Sequence, residues 1–131
     1  MTKENLDYNL CNLILNILEE KKVEEIKIIK VIEVLPIADF FVVGTIESTP
    51  QASAVVNELN FKLKEAGIHQ INRKNFSSAD WILLDYNSVI VHLFTKDKRD
   101  FYNLEGLWSK YLVDKNKLTQ KWLNIKKIKI K

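Results

Sequence analysis

The chain has 131 residues, a length that fits one domain and buries enough surface to fold without a disulfide or a structural metal. Its 47% hydrophobic and 28% charged residues are ordinary for a globular protein, and its lone cysteine, Cys11, excludes an internal disulfide. No apolar run approaches the roughly 18–20 residues that span a bilayer, and with no secretory leader the expected setting is a reducing cytoplasm.

Leu6, Leu10, Leu13, Ile14, Ile17 and Leu18 repeat on one face of a helix expected over roughly Lys3 to Lys21. Ile26–Ile28 and Lys30–Val34 then read as one strand that Pro36 ends. Phe40 to Ile46 is a near-continuous apolar run, the pattern of a strand covered on both faces. Ser48-Thr49-Pro50 opens a second helix with a hydroxyl cap and an early proline. Its buried stripe is Ala52, Val55, Val56, Leu59 and Leu63, and Gly67 stands where a helix ends in a left-handed residue. Ile68–Ile71 reads as a short strand and Arg73–Ala79 as a polar loop. Trp81–Tyr86 and Val89–Phe94 form a hairpin around Asn87-Ser88. A last helix is expected over Arg99–Tyr111, with Phe101, Leu104, Leu107 and Trp108 on one side, and Phe101, Leu104 and Trp108 on a stripe the core can absorb.

The resulting order, α-β-β-α-β-β-β-α, predicts an α/β single domain with a mixed sheet packed against helices over residues 1–108, without repeats or linkers. Residues 109–131 form a basic tail with eight lysines against Asp114, a net +7, so the preceding residues carry −4 of the overall +3. Leu118, Trp122 and Ile125 recur there at helical spacing. Such a tail serves either as a solubilising terminus or, through residues such as Lys121, Lys126 and Lys127, as a contact for RNA.

Chemistry finds little footing. The three glycines, at 44, 67 and 106, are too far apart for a phosphate loop, and His69 and His92 lack partners at metal-ligand spacing. His92 within Val91-His92-Leu93-Phe94 reads as a buried structural histidine, and Cys11 as packing. Asp80 and Asp85 are an odd number of residues apart, so on an unbroken strand they point to opposite faces. No Asp-x-Asp pair occurs, and Asp39 and Asp85 read as loop caps or acceptors of backbone donors. No catalytic residue, metal or cofactor is expected. Recognition is better supported: Phe101-Tyr102-Asn103-Leu104-Glu105-Gly106-Leu107-Trp108 holds three large aromatics in eight residues, with Tyr102 and Glu105 on an adjoining, exposed face.

Four segments carry a family resemblance over about residues 5–108. Ala38-Asp39-Phe40-Phe41-Val42-Val43-Gly44-Thr45 resembles A-D-Y/F-F-V-I-A-T of the Iojap/RsfS family, and Trp81-Ile82-Leu83-Leu84-Asp85-Tyr86 its W-V-L-L-D-Y/F strand. Val89-Ile90-Val91-His92-Leu93-Phe94 resembles V-V-V-H-I-F, and Arg99 to Trp108 resembles R-x-F-Y-x-L-E-x-L-W. Each piece alone is weakly specific; four in family order make a specific match. The chain departs from the family at Ile46, where a glycine is common, at Pro50, where an arginine is common, and at Lys74-Asn75, where an E-G pair is common.

The resemblance implies a nucleotidyltransferase-like α/β fold without catalytic acids, and a non-enzymatic ribosomal silencing factor. Such a factor binds the large ribosomal subunit through its fourteenth protein, blocks association with the small subunit and represses translation. Trp81, Asp85, His92, Arg99, Tyr102, Glu105 and Trp108 carry the family pattern and are the expected partner-binding or supporting residues, with Phe94 and Leu104 in the core beneath. A homodimer of the free protein is also compatible. The alternatives are a ribosome-assembly or RNA-binding factor and, with least support, an active nucleotidyltransferase.

Overall fold

A computed structural model describes residues 6–72 and 80–114. Helix α1 (Tyr8–Glu20) starts where the Asp7 side chain accepts a hydrogen bond from the Leu10 amide, at 3.1 Å. Its stripe of Leu10, Ile14, Ile17 and Leu18 is buried, with Leu6 and Leu13 packed at the margin. Strand β1 (Glu24–Ile29) follows, then a single 3-10 turn over Val31–Glu33, strand β2 (Phe40–Thr45) and helix α2 (Thr49–Glu65). Strands β3 (Trp81–Asp85) and β4 (Val89–Phe94) form the expected hairpin, with Asn87 left-handed at φ 76°. Two short helices, α3 (Lys96–Tyr102) and α4 (Leu104–Leu107), lead through a 3-10 turn at Ser109–Tyr111 to strand β5 (Leu112–Val113).

The five strands make one mixed sheet in the order β3-β4-β2-β1-β5. The pair β2–β4 is parallel and the other three pairs are antiparallel. All six residues of β2 and of β4 are buried, because both faces of these central strands are covered. On the first face, Ile28, Phe40, Val42, Ile82, Leu84, Val91 and Leu93 pack against α1 and the α2 stripe of Ala52, Val55, Val56, Leu59 and Leu63. A second, smaller core of Ile29, Val31, Phe41, Val43, Ile90 and Phe94 lies on the opposite face. Ser48 caps α2 by accepting from the Gln51 amide, and Gly67 takes φ +80° just past the helix. Among the departures from the family pattern, Ile46 is buried and Pro50 lies in the first turn of α2, while Lys74 and Asn75 lie outside the described residues.

Three expectations are corrected. The first strand stops at Ile29 rather than Val34. Ile29 pairs with Phe41, and β2 begins one residue earlier, at Phe40, so residues beyond Lys30 have no strand beside them among the described residues and wind into the 3-10 turn. Ile68–Ile71 is not a strand. It runs along the edge of β3 with one backbone bond, Ile71 N–H to the Asp85 carbonyl at 2.7 Å. The Asn72 carboxamide supplies the rest, accepting from the Asp85 amide and donating to the Leu83 carbonyl, as a neighbouring strand would. The last helix is broken at Asn103, whose φ of 48° is left-handed. Its side-chain oxygen accepts from the Gly106 amide at 3.1 Å, and a Cβ on residue 106 would collide with that folded-back carboxamide. Phe101, about 200° around α3 from the buried Arg99, points to solvent at 76% exposure, so the core does not absorb it. Beyond Trp108 the chain rejoins the sheet, Val113 pairing with Ile28. The expected loop 73–79, the tail helix about Trp122 and the basic residues Lys121, Lys126 and Lys127 fall outside the described residues.

Candidate functional site

The second face of the sheet gathers most of the residues singled out in the sequence. Alternation along β3 puts Trp81, Leu83 and Asp85 on one side, and the registers set Ile90, His92 and Phe94 of β4 beside them, then Phe41, Val43 and Thr45 of β2. Trp81, Phe94 and Thr45 form one cross-sheet row, Leu83, His92 and Val43 the next, and Asp85, Ile90 and Phe41 the third.

An aromatic tier spans these rows. Trp81 lies 4.9 Å from Phe94 and 4.6 Å from Tyr102, centroid to centroid. His92 is 4.5 Å from Phe41, which in turn is 5.3 Å from Trp108. Phe94 is fully buried and Trp81, Leu104 and Trp108 are half-buried over it, whereas Tyr102 is 42% exposed. Phe101 meets Tyr102 edge-on at 5.1 Å, and with Leu107, 69% exposed, it forms an apolar rim on the α3–α4 corner.

Inside the tier the Trp81 indole N–H donates to His92 Nδ1 at 3.2 Å. A neutral imidazole that accepts at Nδ1 carries its proton on Nε2. That atom is buried and has no hydrogen-bond partner among the described residues. Burial in this apolar setting lowers the imidazole to about 4.

Arg99 and Glu105 face each other rather than solvent. The Arg99 Nε–H donates to Glu105 Oε1 at 2.9 Å and Oε2 at 3.2 Å, while Nη1–H donates to Thr45 Oγ1 at 2.7 Å. The pair ties α3 to α4 and anchors both to the end of β2. Asp85 stands apart, on the same face as Trp81 but roughly 13 Å along the strand. One of its carboxylate oxygens accepts from the Asn87 amide at 2.8 Å, so it caps the hairpin. Asp39 likewise accepts a backbone donor, the Asp7 amide at 2.8 Å.

Phe41 and Thr45 belong to this site and escaped the sequence reading. Both sit in a strand whose uninterrupted apolarity hides which face each residue takes; only its pairing with β4 reveals it. Elsewhere, Cys11 is fully buried and its thiol is pushed up by desolvation and by Asp7 and Asp39, which suits packing rather than nucleophilic work. Among the described residues no group of three or more His, Cys, Asp or Glu side chains could hold a metal ion, and no helix is long and apolar enough to cross a membrane.

Residues 4–129 match the family model RsfS, described as ribosomal silencing factor during starvation. The chain belongs to the RsfS family. It is 36% identical over 99 residues to the ribosomal silencing factor RsfS of Halalkalibacterium halodurans, covering 76% of this chain and 85% of that protein. More distant relatives include the mouse mitochondrial assembly of ribosomal large subunit protein 1, 27% identical over 75% of this chain and 44% of that one. The chloroplastic protein Iojap of Arabidopsis thaliana is 34% identical over 61% of this chain and 34% of its own length. A crystal structure of a Chromobacterium violaceum protein superposes with a TM-score of 0.72 at 30% identity, over 77% of this chain and 84% of that one. The RsfS relationship thus agrees with the mixed five-stranded α/β fold described above.

Proposed function

We propose that this RsfS-family chain acts in the cytoplasm as a non-enzymatic silencing factor. It docks on the large ribosomal subunit, through that subunit's fourteenth protein, and occludes the surface the small subunit must reach. The observation that carries this reading is the aromatic tier ending in an exposed rim of Phe101, Tyr102 and Leu107 on the α3–α4 corner. Rigid aromatic side chains set among apolar neighbours are the usual centre of a protein–protein interface. Tyr102 is the contact anchor. Trp81 and Phe94 form its floor, Trp108 packs on Phe41 of the same tier, His92 lies beneath Trp81, and Arg99 with Glu105 holds the corner in shape. Asp85 acts at one remove, by fixing the hairpin. The same rim would seat a second copy of the chain when no ribosome is present.

The name of the mouse relative, which speaks of large-subunit assembly, supports the choice of subunit and keeps an assembly role as the second reading. Co-sedimentation of the full chain with large subunits, followed by addition of small subunits, separates the two. Retention with fewer joined ribosomes supports occlusion. Retention with normal joining favours assembly, and no retention removes both. Tyr102→Ala should fold normally and lose about 2 kcal/mol or more of binding; a folded variant that binds as the parent does would reject Tyr102 as the anchor.

A further inference from the structure

Nothing about packing calls for a histidine at position 92. Its strand neighbours Val91 and Leu93 are fully buried and apolar, and its ring lies among Phe41, Trp81 and Phe94. The residue is 96% buried, yet its Nε2–H has no acceptor among the described residues. A buried donor without a partner destabilises a fold, so an apolar side chain of similar volume would serve the core better. What an apolar side chain could not do is accept the Trp81 indole N–H, and Nδ1 does that at 3.2 Å.

We infer that His92 is a positioning residue for the docking face: it fixes the Trp81 indole so that the ring presents a defined floor to Tyr102. The inference rests on the docking reading given above. Trp81 is wedged between Phe94 at 4.9 Å and Tyr102 at 4.6 Å, its plane 48° from that of Tyr102. A half-buried indole keeps its N–H satisfied. Without the imidazole acceptor that N–H finds satisfaction in water, and the ring rotates outward to reach it. Tyr102 then loses the surface it lies against and leaves the geometry in which it meets a partner. Because 1 Å of looseness in a supporting layer is enough to spoil a recognition surface, the effect reaches the interface although His92 itself is never exposed to the partner.

The test uses the full chain and purified large subunits, with four proteins: His92→Leu, His92→Asn, Trp81→Phe and the double variant Trp81→Phe/His92→Leu. His92→Leu is expected to melt cooperatively and to bind roughly tenfold more weakly. His92→Asn, whose carboxamide oxygen can stand near the place of Nδ1, is expected to return binding to within about threefold of the parent. Trp81→Phe removes the donor through which His92 acts, so adding His92→Leu to it, in the double variant, should cost no further binding. In nitrogen-15 spectra, the indole resonance that disappears in Trp81→Phe should shift and exchange faster with water in His92→Leu. That signature does not depend on the ribosome, and a merely structural role for His92 would not move it selectively. Parental binding by a folded His92→Leu overturns the inference alone, as do equal losses in the Leu and Asn variants or a further loss of about tenfold when His92→Leu is added to Trp81→Phe. Failure of the parent chain to bind large subunits overturns the docking reading, and the positioning role with it.

Discussion

At the scale of single residues, the second face of the sheet holds polar groups in places where apolar ones would be easier to bury. His92 is the clearest, and its burial has a consequence in acid. Its imidazole is lowered from 6.5 to about 4 in the folded chain by desolvation, so between those values the unfolded chain binds a proton that the folded chain does not. Folding stability contributed by the neutral ring is therefore fully present above pH 6.5 and is lost as pH falls toward 4. From pH 7.5 to pH 5 the loss should be about 2 kcal/mol from this group. Urea denaturation of the parent and of His92→Leu at both pH values isolates it, since the two proteins differ at this one side chain. Equal pH dependence in the two would show that the ring is hydrated or charged in the folded state. The buried thiol of Cys11 offers the contrasting case: raised by the same desolvation, it stays protonated across this range and adds nothing to the slope.

At the scale of elements, what the sequence made legible was whatever is decided within a few neighbouring residues. The α2 stripe from Ala52 to Leu63, the Ser48 cap, the buried run of β2 and the hairpin at Asn87-Ser88 all follow from local periodicity or turn chemistry, and all are present. What the sequence hid depends on partners distant along the chain. Lys30–Val34 has strand-like composition but no strand to pair with among the described residues, and Ile68–Ile71 loses its place in the ladder to the side chain of Asn72. The candidate site shows the same division. Its residues were legible as a group of aromatics and charges, but not their pairing. On an unbroken helix Arg99 and Glu105, six positions apart, would point about 120° away from each other. The left-handed Asn103 brings them together, leaving Arg99 5% exposed with its charge matched by Glu105. Glu105→Ala would leave that guanidinium, among the described residues, with Thr45 as its one side-chain partner. Breaking a buried pair costs roughly 3–5 kcal/mol, and because the Glu105 side chain is 21% exposed the expected loss is smaller, about 2 kcal/mol. Denaturant unfolding checks this. A stability change below ~0.5 kcal/mol would mean that water reaches the guanidinium and the corner is held by the Asn103 turn alone.

At the scale of the whole molecule, charge and apolar surface are separated along the chain. Residues 1–108 carry a net −4 and present the aromatic rim, whereas residues 109–131 carry +7. The second part begins against the first, since its β5 returns the chain to the sheet beside β1, on the side away from β3. A ribosomal subunit offers both a protein surface, suited to the rim, and phosphates, suited to the lysines. The two contributions differ in how they respond to salt. Burial of the rim is nearly indifferent to ionic strength, while each lysine–phosphate contact releases counterions and steepens the dependence of affinity on salt. A chain ending at Asp114 keeps β5 and hence the sheet, so it should bind large subunits with a shallower slope. If Lys121, Lys126 and Lys127 each meet a phosphate, the log–log slope should fall by roughly 2–3. The rim and the tail are then separable, because Tyr102→Ala should lower affinity at every salt concentration and leave the slope unchanged. Parallel titrations of the parent, the truncated chain and Tyr102→Ala between low and physiological salt decide the matter. If truncation leaves the slope as it was, the lysines are solvated and the docking surface lies wholly on the folded domain; if it removes binding altogether, the tail carries the affinity and the aromatic corner serves only to orient it.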